Sequence, residues 1–332
     1  MAQYILNMGG NSHYHVSTVD VFQVTDNGVT KIQNHGLTLS VARNGLTAAS
    51  VGNYILAMGG YDGSTYSNVV DVFKVTTNGV EAVQNHGLIL SVGRDELAAA
   101  SAGSYILAMG GYNGSTRSSA VDVFKVTDNG VEAVPNHGLS LSAGRRTLTA
   151  ASAGNYILAM GGAGNNGRLN TVDIFKVTDN GVEAVQNPGL SLSVARNDLT
   201  AASCGNYILA MGGYDGITYS NVVNVFKVTT SGVEAVQNHG LSLSVGRDEL
   251  AAASCGSYIL AMGGYASNGL SNTVDVFKVT DNGVEAVQNH GLSLSVARNW
   301  LTAASAGNYV LAMGGVLDNG ISNAVDVFQC FE

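Results

Sequence analysis

The sequence predicts an all-β chain, a β-propeller of seven blades with four antiparallel strands each, and three observations carry that prediction. First, a unit of about 51 residues recurs seven times, with the first glycine of a Met-Gly-Gly step at Gly9, Gly59, Gly110, Gly161, Gly212, Gly263 and Gly314. A fixed period of this size marks a propeller, solenoid or array. Second, the apolar residues of a unit fall into short runs bounded by Gly, Asn or Ser, with no sustained i, i+3, i+4 pattern. Third, those runs are apolar on both faces. Each sheet therefore needs cover on both sides, which radial packing around an axis supplies.

One unit shows the elements in order. Leu199 to Ser203 reads as a first strand of small and apolar residues, closed by the turn Cys204-Gly205-Asn206. Tyr207 to Met211 is the second strand and runs into Gly212-Gly213, followed by a polar loop over 214–220. Val222 to Val228, rich in Val and Phe, is the third strand; Thr230-Ser231-Gly232 turns into the fourth, Val233 to Val236. Most units have Asn-Gly at that last turn: Asn27-Gly28, Asn78-Gly79, Asn129-Gly130, Asn180-Gly181 and Asn282-Gly283. Asn-Gly between apolar runs predicts a two-residue hairpin in which both residues take positive φ.

The strand count leaves a seam. The chain starts in a second strand, Tyr4 to Met8, and stops after a third, Ala324 to Phe331, so the two terminal blades are each one strand short. Seven blades follow from the seven Gly-Gly strands; six blades plus a redundant N-terminal segment is the alternative. Residues 1–332 are expected to form a single domain, because no unit buries its apolar face alone. Residues 61–111 also match 214–264 at all but five positions, Ser64/Ile217, Asp71/Asn224, Asn78/Ser231, Ile89/Ser242 and Ala102/Cys255, which points to blades copied in threes.

Composition narrows the function. The net charge is −9 and there is no Lys/Arg run, which sets aside nucleic acid and anionic membrane surfaces as partners. Met1 to Gly10 has no signal-peptide pattern, and no apolar run reaches the roughly 18 residues of a membrane helix. Three cysteines, an odd number, argue against a disulfide framework and fit a reducing compartment, hence a cytoplasmic location. Cys204 and Cys255 share a repeat position with Val51, Ala102, Ala153 and Ala306 and read as buried thiols.

A Gly-Gly closing the second strand, an Asn-x-Val-Asp-Val-Phe pattern in the third and an Arg entering the next unit together resemble the kelch repeat. The resemblance covers the whole chain. In place of the Trp that kelch units carry in the fourth strand stand valine-rich segments such as Val233 to Val236, and Trp300, the only Trp, lies elsewhere. The resemblance implies a propeller in which the arginines entering the first strands hold acidic peptide motifs.

The candidate site follows from where the repeats differ. Strand alternation puts the loops after Gly-Gly and the connections into the next blade on one face, and both vary. Arg43, Arg94, Arg145, Arg196, Arg247 and Arg298 enter the first strands and would ring the channel mouth with a fork geometry suited to carboxylates. The bland alternative pairs each with a third-strand carboxylate such as Asp20, Asp71, Asp122, Asp173, Asp275 or Asp326. The two residues after each arginine bring Asp95, Glu96, Arg146, Asp198, Asp248, Glu249 and Trp300 to the same mouth, as a ligand site or as a self-satisfied ion-pair network. Tyr61, Tyr112, Tyr214 and Tyr265 open the variable loops and would supply contact area at an interface.

No metal or cofactor is expected. The Asn-His-Gly histidines His35, His86, His137, His239 and His290 come one per blade and read as turn residues. His13 and His15 alternate on an extended segment and are the weak metal candidates. There is no Gly-rich phosphate loop, Gly-x-Ser-x-Gly elbow or His-Glu-x-x-His. The favoured reading is therefore a non-enzymatic module that binds a protein or acidic peptide. One alternative is binding of a small polar ligand such as a sugar in the central pocket, or its conversion by an epimerase or lyase reaction. Another is a structural repeat protein that self-associates through its open seam.

Overall fold

A computed structural model of the protein describes residues 3–330 except 13, 34, 85–86, 136, 238–239 and 289–290. Every regular element among them is a β-strand. No helix is long and apolar enough to cross a membrane.

The repeats form antiparallel sheets in strict chain order. The second sheet joins Thr47–Val51, Tyr54–Met58, Val70–Thr76 and Gly79–Val83. The third to sixth sheets repeat this arrangement of four strands, with first strands Ala98–Ala102, Thr149–Ala153, Thr200–Cys204 and Ala251–Cys255. The first sheet has three strands, Gln3–Met8, Val19–Thr25 and Gly28–Ile32. The seventh also has three, Thr302–Ala306, Tyr309–Met313 and Val325–Gln329. This arrangement is consistent with a β-propeller, and among the described residues the first and seventh sheets each have three strands.

The packing explains why the second strands read as continuous apolar runs. In Tyr105–Met109 every residue is buried. Tyr105, Leu107 and Met109 pack with Ile157, Ala159 and Phe175 of the fourth sheet, while Ile106 and Ala108 pack with Leu56 and Met58 of the second. Successive side chains of a strand point to opposite faces, so one pentapeptide serves two neighbours. Six clusters of this kind join consecutive sheets, and another sets Tyr309, Leu311 and Met313 of the seventh sheet against Ile5, Phe22 and Val24 of the first.

Two local expectations are corrected. The hairpin joining third to fourth strands pairs Thr25 with Gly28 and Thr76 with Gly79, so its two loop residues are Asp26-Asn27 and Thr77-Asn78. Positive φ falls on the glycine alone, +127° at Gly28 and +144° at Gly232, a backbone region open to a residue without a Cβ. The asparagine needs no left-handed backbone, and Ser231 replaces it in the fifth unit without strain. The second correction concerns the cysteines: Cys255 and Cys330 form a disulfide and Cys204 is the free thiol. Cys330 takes the place in the seventh sheet that Val228 takes in the fifth, packed against the preceding sheet's first strand, so the bridge replaces an Ala153–Val228 type of contact. A disulfide belongs to oxidising surroundings, and the argument for a reducing compartment falls with it.

The bridge fastens the three-stranded seventh sheet to its neighbour. Its reduction, or Cys330→Ser, is expected to lower stability by about 2–4 kcal/mol, while Cys204→Ser changes it by less than about 0.5 kcal/mol. Denaturant unfolding with and without reductant checks both.

Candidate functional site

The arginines point into the wall, not at the mouth. All six are wholly buried. Five reach the third strand of their own sheet: Arg43 to Asp71 at 2.7 Å, Arg94 to Asp122 at 2.6 Å, Arg145 to Asp173 at 2.5 Å, Arg247 to Asp275 at 2.7 Å and Arg298 to Asp326 at 2.7 Å. The same guanidinium groups donate to second-strand carbonyls such as Ala57, Ala108 and Ala312. The other carboxylate oxygen accepts a backbone N–H from the incoming connection, as Asp71 does from Ser40 at 3.1 Å and Asp122 from Ser91 at 2.9 Å. One charge pair per sheet thus ties the connection to the second and third strands. This corrects the expectation that Arg43, Arg94, Arg145, Arg196, Arg247 and Arg298 grip an acidic partner: no fork of theirs is exposed to take a second carboxylate.

The fifth sheet breaks the rule. Asn224 stands in place of the aspartate and accepts from Arg196 Nη2 at 2.9 Å. Burial without a facing charge pulls the Arg196 guanidinium down to about 10. Removing one partner of a buried pair strands the other charge, so Arg94→Ala is expected to cost about 3–5 kcal/mol. Asn224→Asp, which supplies the missing charge, is expected to add about 1–3 kcal/mol. Thermal and denaturant unfolding of the two variants decide this.

The mouth is built by the residues that follow each arginine. The first of them pairs in antiparallel fashion with the residue after Gly-Gly, as Asn44 with Tyr61, Asp95 with Tyr112, Asn197 with Tyr214 and Asp248 with Tyr265. The second sits in the left-handed region: Gly45 at φ +61°, Glu96 at +50°, Thr147 at +48°, Asp198 at +52°, Glu249 at +52° and Trp300 at +51°. For non-glycine residues, and above all for the β-branched Thr147, this is a strained backbone of the kind found at functional sites. It is held by bonds between sheets. Glu96 N–H donates to the Gly45 carbonyl at 2.9 Å, Thr147 to Glu96 at 3.0 Å, Asp198 to Thr147 at 3.0 Å, Glu249 to Asp198 at 2.9 Å and Trp300 to Glu249 at 3.1 Å. Next along the chain come Leu46, Leu97, Leu148, Leu199, Leu250 and Leu301, which form an apolar collar. Collar and ring line a cavity of about 720 Å³ that extends to Asn7, Met8, Gly9 and Gly10 of the first sheet.

The mouth is acidic, and its carboxyls are partly to fully buried. Asp95, Glu96, Asp198, Asp248 and Glu249 face the cations Arg146 and Arg168. Arg146 pairs with Glu96 at 3.1 Å, and Arg168 Nε donates to Asn197 Oδ1 at 3.0 Å. Burial, then the Glu96 charge, raises Asp95 to about 6. Burial, then Glu249 and Glu96, raises Asp198 to about 7. Burial and Asp198 raise Asp248 to about 7, and burial and Asp248 raise Glu249 to about 7, against the bond that Asn299 donates to Glu249. Asp95 Oδ1 and Asp248 Oδ1 are buried without a hydrogen-bond partner among the described residues.

Aromatic rings flank the mouth. His15, Tyr61, Tyr66 and Tyr112 follow one another at centroid spacings of 5.7, 4.9 and 5.5 Å, and Arg146 lies 5.3 Å over Tyr112. Across the mouth Arg168 lies 4.8 Å over Tyr214, and Tyr214, Tyr219 and Tyr265 follow at 5.3 and 5.7 Å. Loss of hydration and then the charges of Asp95 and Asp248 hold the hydroxyls of Tyr66 and Tyr219 above the ordinary tyrosine range.

The Kelch motif model matches residues 42–78, the stretch from the first buried arginine through the third strand of the second sheet. That stretch is similar to the kelch motif. No curated protein matches the chain. Of the residues singled out from sequence, Asp95, Asp198 and Trp300 line the cavity, with Trp300 half-exposed; Arg146 joins them through its pair with Glu96, and Asp248 is buried behind the lining. Tyr61, Tyr112, Tyr214 and Tyr265 stand on its rim. Sequence reasoning missed Tyr66 and Tyr219 as members of the arcs, although the loop pattern Tyr-Asp-Gly-x-Thr-Tyr contains them. It also missed the left-handed ring, for which a glycine at one of six equivalent positions, Gly45, was the available signal.

Two of the described histidines cap turns. His35 and His137 each accept a backbone N–H through Nδ1, from Leu37 and Leu139 at 3.1 Å. His13, His86, His239 and His290 lie outside the described residues. Among the described residues no group of three metal-ligating side chains converges.

The raised carboxyls make a pH prediction. Asp198, Asp248 and Glu249 keep their protons to about 7 in the folded chain and lose them near 4 when unfolded. Their contribution to stability is full below about 4 and is lost as pH rises through 7. The melting temperature of Asp198→Asn is expected to exceed that of the parent at pH 8 and to converge with it as pH falls to about 4.

Proposed function

We propose that this chain is a seven-bladed kelch-like propeller that binds a protein or peptide partner, without catalysing a reaction, by taking a cationic group of that partner into its axial mouth. Seven packing interfaces among seven large sheets support the blade count. Kelch repeats generally mediate protein interactions, which supports a protein partner. The sign of the partner rests on one observation: the carboxylates of the mouth outnumber its cations, and two carboxylate oxygens are buried without hydrogen-bond partners.

A lysine or arginine side chain, or a peptide amine, would relieve both defects. It would bring the countercharge that keeps Asp198, Asp248 and Glu249 ionised and the donors that Asp95 Oδ1 and Asp248 Oδ1 need. The tyrosine arcs offer faces for cation–π contact on the way in. This reverses the sign anticipated from the arginines, because their charge is consumed inside the sheets.

A small polar ligand is the second reading, favoured by Trp300 standing half-exposed over a cavity of small-ligand size. One experiment separates the two. Fluorescence anisotropy with labelled lysine- and arginine-rich peptides, and with acidic peptides of equal length, is expected to show saturable binding of the basic set only. That binding should weaken at least about tenfold in Asp198→Asn/Asp248→Asn, increase from pH 6 to pH 8, and fall with salt. Preference for acidic peptides, or unchanged affinity in the double variant, contradicts the proposal.

A further inference from the structure

The mouth contains one constellation twice, three units apart, and only one copy holds a cation. The first copy is Tyr66, Asp95, Glu96 and Tyr112; the second is Tyr219, Asp248, Glu249 and Tyr265. Asp95 pairs with Tyr112, and Asp248 with Tyr265, across the same antiparallel contact. Glu96 and Glu249 share the left-handed backbone, at φ +50° and +52°. Tyr66 meets Tyr112 at a centroid spacing of 5.5 Å, and Tyr219 meets Tyr265 at 5.7 Å.

The copies part at the residue that reaches them from the next sheet. Arg146 closes the first copy: its guanidinium lies 5.3 Å over Tyr112 and 3.1 Å from a Glu96 oxygen. Its charge also pulls Asp95 down against burial and Glu96. Asn299 stands in that place in the second copy and donates to Glu249 at 2.5 Å as a neutral group. Leu270 pairs with Tyr265 where Arg117 pairs with Tyr112, so a second cation is missing as well. Among the described residues no cation lies over Tyr265, which is 37 % exposed, whereas Tyr112 under Arg146 is partly buried. Asp248 is 7 % and Asn299 9 % exposed, yet the Oδ1 atom of each is buried without a hydrogen-bond partner among the described residues. The Asn299 oxygen belongs to the amide that faces Glu249, so it is aimed at the carboxyls and not away from them. Burial and then like charge raise Asp248 and Glu249 to about 7, with no cation acting against the rise.

We propose that the second copy is a subsite for a guanidinium group, filled by an arginine side chain of the partner as Arg146 fills the first. The guanidinium plane stacks on Tyr265, and its N–H groups go to Glu249, Asp248 Oδ1 and Asn299 Oδ1. A planar cation with five donors in a fixed fork suits several acceptors beside an aromatic face; an ammonium is a compact, strongly hydrated point charge and suits them less. Trp300, next in the chain and half-exposed on the cavity lining, offers apolar surface to the methylene stem of the arginine. By the same argument Arg146 is an internal occupant that keeps the first copy closed. The inference rests on the reading that the mouth takes a cationic group and narrows it to arginine at one of two like places.

The probe is acetyl-arginine methylamide, whose only charge is the guanidinium, with acetyl-lysine methylamide as its counterpart. Each is titrated into the full chain carrying carbon-13 in its tyrosine rings and followed by NMR, with Tyr112→Phe and Tyr265→Phe assigning the two resonances. The Tyr265 resonance is expected to shift saturably with the arginine compound, and the lysine compound to bind at least about fivefold more weakly. Asn299→Arg, which copies the Arg146 arrangement, should remove the Tyr265 response. Arg146→Asn should add a saturable response at Tyr112, which is silent in the parent. Melting temperatures serve as folding controls. Equal affinity for the two compounds, an unmoved Tyr265, or a Tyr112 that stays silent in folded Arg146→Asn overturns the subsite, even where basic peptides still bind the mouth. Loss of all basic-peptide binding overturns the wider reading and the subsite with it.

Discussion

Each repeat is organised by a guanidinium buried at the entrance to its first strand. A charge placed there without compensation would unfold the sheet, so the surroundings are constrained to answer it: an aspartate on the third strand, carbonyls at the end of the second, and a connection whose N–H turns toward the same aspartate. The pair fixes the height at which the chain arrives at the mouth. The two residues after the arginine are then aimed at the axis, and the glycines of the Gly-Gly step make room for the carbonyl and side chains they bring. Arg196 with Asn224 is the one junction where the charge is answered only by neutral groups.

With the arginines committed to the wall, the chemistry of the mouth is left to residues the frame does not need. The residue in the left-handed region contributes its backbone to the inter-sheet bonds, so its side chain is free to vary. Gly45, Glu96, Thr147, Asp198, Glu249 and Trp300 occupy one structural position with five chemistries. Partial burial beside the leucine collar and the crowding of like charges turn an ordinary cluster of acids into one that holds its protons near neutral pH. Structural and recognitional charge are thereby separated by only two residues of chain.

Much of the frame was legible in the sequence because the repeat is near-perfect: strand order, the Gly-Gly ends of the second strands, the six first and six fourth strands, and the faces on which loops cluster. What escaped was direction and closure. The arginine position reads the same whether the side chain points to the axis or to the wall; only its 2.7 Å approach to Asp71 decides, although the aspartate itself was visible as a partner. The Asn-Gly turn misled because glycine alone carries the positive φ. The Cys255–Cys330 bridge was hidden because an odd number of cysteines allows one bond and one thiol, and because the other units carry valine, Val228 among them, where Cys330 stands.

The central claim is that the mouth is a partly buried acidic site and that the six arginines entering the first strands take no part in it. Carbon-13 NMR of selectively labelled aspartate and glutamate carboxyls across pH 3 to 9 tests it directly. The account predicts that the Asp198, Asp248 and Glu249 resonances titrate at about 7 and Asp95 at about 6, with each resonance assigned by its Asn or Gln variant. Midpoints near 4 for all of them would mean a hydrated or neutralised mouth, and would contradict it.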